Sequence, residues 1–134
     1  MSYDWGEFLE LAKRLDASPG NPGPAEAASR SAASRAYYAA FNVAVDFASQ
    51  EGFSAQASGE DHFRIQRHFQ ATGSDEKRRK VALELERLLN LRRMADYQDG
   101  LNRTPVSLSN HAVGHATRIL SLLSELKPRP ARTH

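Results

Sequence analysis

The amino-acid sequence predicts an all-α protein, an up-and-down antiparallel bundle of about five helices. Several segments carry apolar residues at the 3.6-residue period of an amphipathic helix, and no stretch alternates apolar and polar residues long enough for a strand. Capping residues, glycines and prolines separate these segments into two long helices and three shorter ones. Short or medium connections between helices of this kind favour a bundle.

The first helix is expected from about Tyr3 to Leu15, with Ser2 as N-cap and Trp5, Phe8, Leu11, Ala12 and Leu15 on one stripe. The run Ser18-Pro19-Gly20-Asn21-Pro22-Gly23 is dense in turn formers and breaks the pattern. The second helix is expected to start at Pro24, where a missing N–H costs nothing, and to stop before Gly52, which suits a left-handed C-cap. Its core stripe reads Tyr37, Ala40, Phe41, Ala44, Phe47 and Ala48, and its length and alanine content mark it as the spine of the bundle.

Ser58 followed by Asp61 resembles a capping box and opens a third helix from about Gly59 to Ala71, with Phe63, Ile65 and Phe69 apolar and Gly73 closing it. Ser74 is the expected cap of a fourth helix that runs to about Asp99 and stops at Gly100, with Asp75/Arg79 and Glu76/Lys80 as i,i+4 pairs. After Thr104-Pro105, Ser107 or Ser109 is expected to cap a last helix to about Leu126. Its buried side is Ala112, His115, Ala116, Ile119, Leu122, Leu123 and Leu126, and Pro128 and Pro130 forbid continuation.

A chain of 134 residues suits one domain, here 1–127, followed by a basic, proline-containing tail over 128–134 that is expected to be disordered. Hydrophobic residues at 40% and charged residues at 25% exclude a disordered or membrane-embedded class. The absence of cysteine excludes disulfides, thiolate metal sites and a cysteine nucleophile, and suits a reducing compartment. The start Met1-Ser2-Tyr3-Asp4-Trp5-Gly6-Glu7 lacks the features of a signal peptide and no later run is long enough for a membrane span, so a cytoplasmic protein is expected. The formal charge of +2 is too small to announce nucleic-acid binding by itself. The basic runs Lys77-Arg78-Arg79-Lys80 and Lys127-Pro128-Arg129-Pro130-Ala131-Arg132 read as solvated surface.

On the fourth helix the apolar stripe Val81, Leu85, Leu88 continues in phase with Arg92, then Ala95, Asp96 and Asp99, so a charge enters the core-facing side. An unpaired buried guanidinium is very costly, and Arg92 must therefore find a carboxylate, line a cleft or meet a second subunit, unless the helix end turns it to the rim. Asp96, one turn on, is the nearest partner in sequence. The second helix offers Arg35, Tyr38 and Asn42, with Arg30 and Ser34 a turn earlier, and two helices so equipped can form a polar groove for a phosphate or a base. His111 and His115 are spaced i,i+4 as zinc-binding histidines are, but lack a HExxH glutamate and a third ligand nearby. No metal or other cofactor is expected.

Ser34-Arg35-Ala36-Tyr37-Tyr38-Ala39-Ala40-Phe41, then His62, then Phe69-Gln70-Ala71-Thr72-Gly73, then Leu91-Arg92-Arg93-Met94-Ala95-Asp96-Tyr97 resemble, in order and approximate spacing, the S-R-A-Y-Y-A-x-F and R-x-x-A-D-Y pattern of small prokaryotic HEPN proteins. The resemblance spans about Ala28 to Leu123. It implies a helical bundle that often dimerises, a role with nucleotides or RNA in stress, defence or toxin–antitoxin settings, and a cognate nucleotidyltransferase as a possible partner.

In RNA-cleaving members an arginine is followed after four to six residues by a histidine. Arg92 matches the arginine, but Tyr97, Gln98 and Asp99 stand where the histidine would. Histidine alone has an ordinary pKa near neutrality, with tyrosine near 10 and aspartate near 3.9, so catalysis by that route is expected to be degenerate. The ligand-binding candidates are Arg35, Tyr38, Arg92, Asp96 and Tyr97, and the weak catalytic candidates are His62 and Tyr97. The alternatives are a dimeric scaffold bundle in which the cluster only fixes helix register, and an active metal-independent ribonuclease using His62 or Tyr97.

Overall fold

Seven alanines of one helix, Ala32, Ala33, Ala36, Ala39, Ala40, Ala44 and Ala48, are wholly buried and set the plan of the molecule. The structure is a computed structural model that describes residues 4–17, 25–71, 73–101 and 103–130. Among the described residues there are five helices and no strand: α1 (Trp5–Ala17), α2 (Ala25–Ser49), α3 (Asp61–Gln70), α4 (Glu76–Tyr97) and α5 (Pro105–Glu125). The alanine-lined α2 packs against all four of the others. Alanine is the best helix former and its methyl lets a neighbouring backbone come close, so one helix can serve as the spine on several sides.

Contacts at the helix ends fix the chain directions. Arg30 at the start of α2 reaches the carbonyls of Met94 and Ala95 at the end of α4, whereas Glu51, just past α2, pairs with Arg78 at the start of α4. α2 and α4 are therefore antiparallel. Lys77 meets Glu125 at 3.2 Å and Glu84 meets Arg118 at 3.3 Å, which makes α4 and α5 antiparallel as well. Residues 50–60 carry the chain back along α2, so that α3 begins with His62 beside Tyr37 and ends with Phe69 beside Phe47.

Several element ends differ in detail from the sequence reading, each for a local reason. α2 closes at Gly52 as expected: with φ at 94° it donates to Ser49 O while Phe53 donates to Ala48 O, the paired bonds of a Schellman motif. At α3 the Asp61 carboxylate accepts from the Gln56 and Ser58 N–H groups, and the helix starts at Asp61 rather than Gly59. Asp75, not Ser74, caps α4, accepting from the Arg78 N–H at 2.9 Å, while the Ser74 hydroxyl turns back to Phe69 O and Ala71 O.

Asp75 is thereby unavailable to Arg79, whose guanidinium goes to Ser74 O; Lys80 and Glu76 do pair, at 3.3 Å. α4 ends at Tyr97, two residues early. Thr104 caps α5 with Pro105 in its first turn, and Ser109 is buried instead, donating to Val106 O. On α1 the buried residues are Leu9 and Ala12, with Leu11 at 41% exposure, and on α3 Phe63 is likewise exposed, at 43%. The expected cap Ser2 and start Tyr3, the 18–23 loop, Pro24, Thr72 and the tail end 131–134 lie outside the described residues. No helix among the described residues is long and apolar enough to cross a membrane.

Arg78 overturns the reading of Lys77-Arg78-Arg79-Lys80 as uniformly solvated. Its side chain is 4% exposed and forks onto Glu51, itself 3% exposed, through Nη1–Oε2 at 3.0 Å and Nη2–Oε1 at 2.7 Å. The guanidinium lies over the Phe69 ring, and its Nε is buried without a hydrogen-bond partner. His68 Nε2 lies 2.7 Å from Glu51 Oε1, and the Arg129 N–H donates to Oε2 at 2.6 Å. One carboxylate thus joins the end of α2, the end of α3, the start of α4 and the segment after α5.

Burial alone would raise the Glu51 pKa, but the hydrogen bonds from Arg78, Arg129 and His68 outweigh it and hold the group at about 2, against 4.5 ordinarily. A depressed carboxylate pKa contributes stability that is fully present above the unfolded value and lost as pH falls through the folded one. The fold should therefore lose on the order of 3 kcal/mol from this group between about pH 4.5 and pH 2, at 1.36 kcal/mol per unit. Urea unfolding across that range measures it. Glu51→Gln should flatten the acid limb and, by leaving Arg78 buried and unpaired, cost about 3–5 kcal/mol at neutral pH.

Candidate functional site

The stripe that brings Arg92 toward the core delivers its guanidinium to a nest of aromatic rings. The side chain is 15% exposed. Its Cζ lies 5.7 Å from the Tyr37 ring centroid, 5.2 Å from that of Tyr38 and 5.7 Å from that of Tyr97, all within cation–π range. Nη2 donates to the Tyr38 hydroxyl at 2.7 Å. Nε lies 2.9 Å from Asp96 Oδ2, yet its N–H is not directed at that oxygen and has no hydrogen-bond partner. The contact with Asp96 is thus coulombic. Ser34 Oγ approaches the same Oδ2 at 3.5 Å.

Behind the guanidinium the Tyr37 hydroxyl bonds to His62 Nδ1, and the His62 ring also lies against Phe41. Burial raises the Tyr37 pKa, more than the nearby Arg92 charge lowers it, so the phenol keeps its proton. Burial also lowers the His62 pKa, helped by the positive charges of Arg92 and Arg93. Of the two neutral groups the phenol is the stronger acid, so Tyr37 is assigned as the donor to Nδ1, which places the ring proton on Nε2. His62 therefore does not stand alone at the start of α3. It belongs to the Arg92 cluster through Tyr37.

The sequence-predicted residues divide into two groups. Tyr38, Arg92, Asp96 and Tyr97 come together, with Tyr97 71% exposed at the end of α4. Arg30 supports them from beneath: its guanidinium donates to the Met94, Ala95 and Asp99 carbonyls, filling the open end of α4, while Nε holds Glu26. Arg35 does not join. It bonds Ser31 Oγ at 3.1 Å and lies over the Phe8 ring of α1.

Asn42 also turns away, donating to Tyr38 O on its own helix. At about 100° per residue, Arg35 and Asn42 share one stripe of α2, rotated off the stripe of Ser34, Tyr37, Tyr38 and Phe41. Tyr37 is the member read from sequence only as core. Its signal was chemical, since a phenol in the middle of an alanine stripe needs a partner for its O–H.

His111 and His115 do not converge on a common ligand. His111 Nδ1 accepts from Arg103 at 2.7 Å, and His115 Nδ1 bonds to Glu84. Among the described residues no three His, Asp or Glu side chains are grouped to hold a metal ion. Comparison of the chain with protein-family models, with curated proteins and with solved structures finds no match.

Two measurements test this geometry. Because its folded pKa is lowered, His62 should titrate below the ordinary value of about 6.5 and should hold the Nε2–H tautomer, as read from ring nitrogen shifts by NMR. A midpoint above that value would contradict the buried placement. Asp96→Ala should cost about 1–2 kcal/mol in chemical denaturation, between the values for exposed and fully buried pairs, because the Arg92 and Asp96 side chains are only 15% and 28% exposed.

Proposed function

We propose that the chain is a HEPN-type helical domain that binds a nucleotide or an RNA segment without cleaving it. The observation that carries the reading is the Arg92 guanidinium held among tyrosine rings, with Tyr97 exposed beside it at the end of α4. A base stacked on an exposed aromatic ring gains about 1–3 kcal/mol, and a guanidinium beside it suits a phosphate or a base edge. The S-R-A-Y-Y-A-x-F and R-x-x-A-D-Y segments supply Tyr38, Arg92, Asp96 and Tyr97, and so supply the cluster itself.

Cleavage is the part of the family chemistry that this site lacks. With His62 Nδ1 accepting from the Tyr37 phenol, the ring proton lies on Nε2 and the imidazole has no second lone pair to serve as a base. Losing general acid–base help forfeits about 10²–10⁴-fold in rate, while binding requires no imidazole. The exposed Phe63 and Tyr97, with Arg93 over the Phe63 ring, favour a homodimer through this face. A cognate nucleotidyltransferase, in a stress, defence or toxin–antitoxin setting in the cytoplasm, is the partner that the resemblance suggests.

A second reading has its own support. The bonds from Arg92 to Tyr38 and from Ser34 to Asp96 equally serve to fix the register of α2 against α4 in a non-catalytic scaffold.

Fluorescence anisotropy with a mixed RNA pool, read at two salt concentrations, separates the readings. Binding should weaken with salt, and Tyr97→Ala should reduce affinity about tenfold, the stacking share of about 1.4 kcal/mol. Failure of any RNA or nucleotide to bind at either salt concentration would leave the scaffold. The same RNA should stay intact on incubation; cleavage that disappears in His62→Ala would instead establish an active ribonuclease. Light scattering at tens of micromolar protein should report a dimer.

A further inference from the structure

Four arginines each have a carboxylate to themselves: Arg78 with Glu51, Arg92 with Asp96, Arg64 with Asp61, Arg30 with Glu26. The far side of α4, which faces α5, is different. Arg87, Asn90, Leu91 and Met94 of α4, Arg103 of the connecting loop, and His111 and His115 of α5 line a cavity of about 230 Å³. Among the described residues that lining holds no carboxylate. Glu84, beside it, is already engaged by His115, by Arg118 Nε at 3.3 Å and by Arg87 at 3.7 Å. Arg87 and Arg118 thus share one carboxylate, and Arg103 has no carboxylate partner among the described residues.

Arg103 carries the argument furthest. Its Nη1 donates to the imidazole lone pair of His111 at 2.7 Å, where a carboxylate or a carbonyl would ordinarily sit. A guanidinium has five N–H donors in a fixed fork, and a neutral imidazole nitrogen satisfies one of them and none of the charge. Accepting at Nδ1 also leaves the His111 proton on Nε2, as a further donor. Donors and positive charge thus meet around a small concavity whose floor is the apolar Leu91 and Met94.

We propose that this cavity binds the phosphate group of a phosphate-bearing ligand, with Arg103 and Arg87 as the charged clamp and His111 as an added donor. A tetrahedral oxyanion matches a forked guanidinium bidentately and offsets the positive excess, and its dimensions suit the volume. The site is separate from the Arg92 groove. Arg92 faces α2, whereas Arg87, Asn90, Leu91 and Met94 form the stripe that faces α5. The proposal therefore stands or falls independently of RNA binding at Tyr97.

The test is an amide and side-chain NMR titration of the full chain with inorganic phosphate, with a nucleoside 5′-monophosphate and with an RNA tetranucleotide lacking terminal phosphate, each against chloride at equal ionic strength. Saturable shifts at Arg103 and His111 that are absent in chloride are expected. Arg103→Gln and Arg87→Gln should each weaken binding about tenfold, while Arg79→Gln, exposed at the start of α4 and outside both sites, should leave it unchanged.

Shifts with phosphate and the monophosphate but not the tetranucleotide assign the site to a free or terminal phosphate. Equal shifts with the tetranucleotide assign it to a backbone phosphodiester. Equal shifts in chloride, no saturation with any of the three probes, or binding unchanged in both the Arg103 and Arg87 variants overturns the proposal.

Discussion

A single helix that touches four others cannot carry large side chains on every side, and this constraint governs the rest of the molecule. The buried alanines of α2 let neighbouring helices approach closely, but methyl groups fill little volume. The bulk of the core is therefore supplied by the neighbours and by a few large residues of α2: Ile65 and Phe69 from α3, Leu85 and Leu88 from α4, Leu108 and Ile119 from α5, with Tyr37 and Phe47 from α2 itself. Tyr37 cannot be buried without a partner for its hydroxyl, and that need draws in His62. The alanine spine thus leads, by way of one phenol, to the chemistry of the groove.

The two ends of the α2–α4 pair solve the same electrostatic problem in different ways. At one end Arg78 and Glu51 are almost dry, fork to fork, with His68 and the Arg129 N–H taking the remaining carboxylate lone pairs. At the other end Arg92 has one hydrogen bond, one coulombic contact and three tyrosine rings, and stays partly open. Removing charge from water is expensive unless every group is satisfied, so the first arrangement serves as a closed clasp. The second is held by rings and a single phenol, a setting in which a guanidinium keeps donors for something else.

The helical period made the five elements and the in-phase intrusion of Arg92 legible, because both are properties of position along one helix. Grouping across helices was harder. Arg35 and Tyr38 are three residues apart, yet the turn of α2 sends one to Phe8 on α1 and the other to Arg92 on α4. Arg78 looked like one of four exposed cations because its partner is 27 residues away, beyond a helix end and the whole of α3. The cap of α4 lies one residue on for a related reason: Ser74 and Asp75 are both good caps, and which one wins depends on whether the serine finds Phe69 O and Ala71 O. No local pattern reports that.

His62 shows how geometry can hold an imidazole beside an arginine while binding it to a buried phenol. Burial and the charges of Arg92 and Arg93 both disfavour its protonated form, so at neutral pH it cannot act as an acid with a proton to spare. The phenol of Tyr37 is kept protonated by burial and needs an acceptor, and Nδ1 is the one it takes. A base would need its lone pair on the open side, which means moving the proton from Nε2 to Nδ1 and stripping Tyr37 of its only described acceptor. That leaves a buried hydroxyl unsatisfied, at a cost of about 1–3 kcal/mol, before any chemistry begins. The aromatic core that places Arg92 is thus the same structure that ties His62 to the Tyr37 phenol.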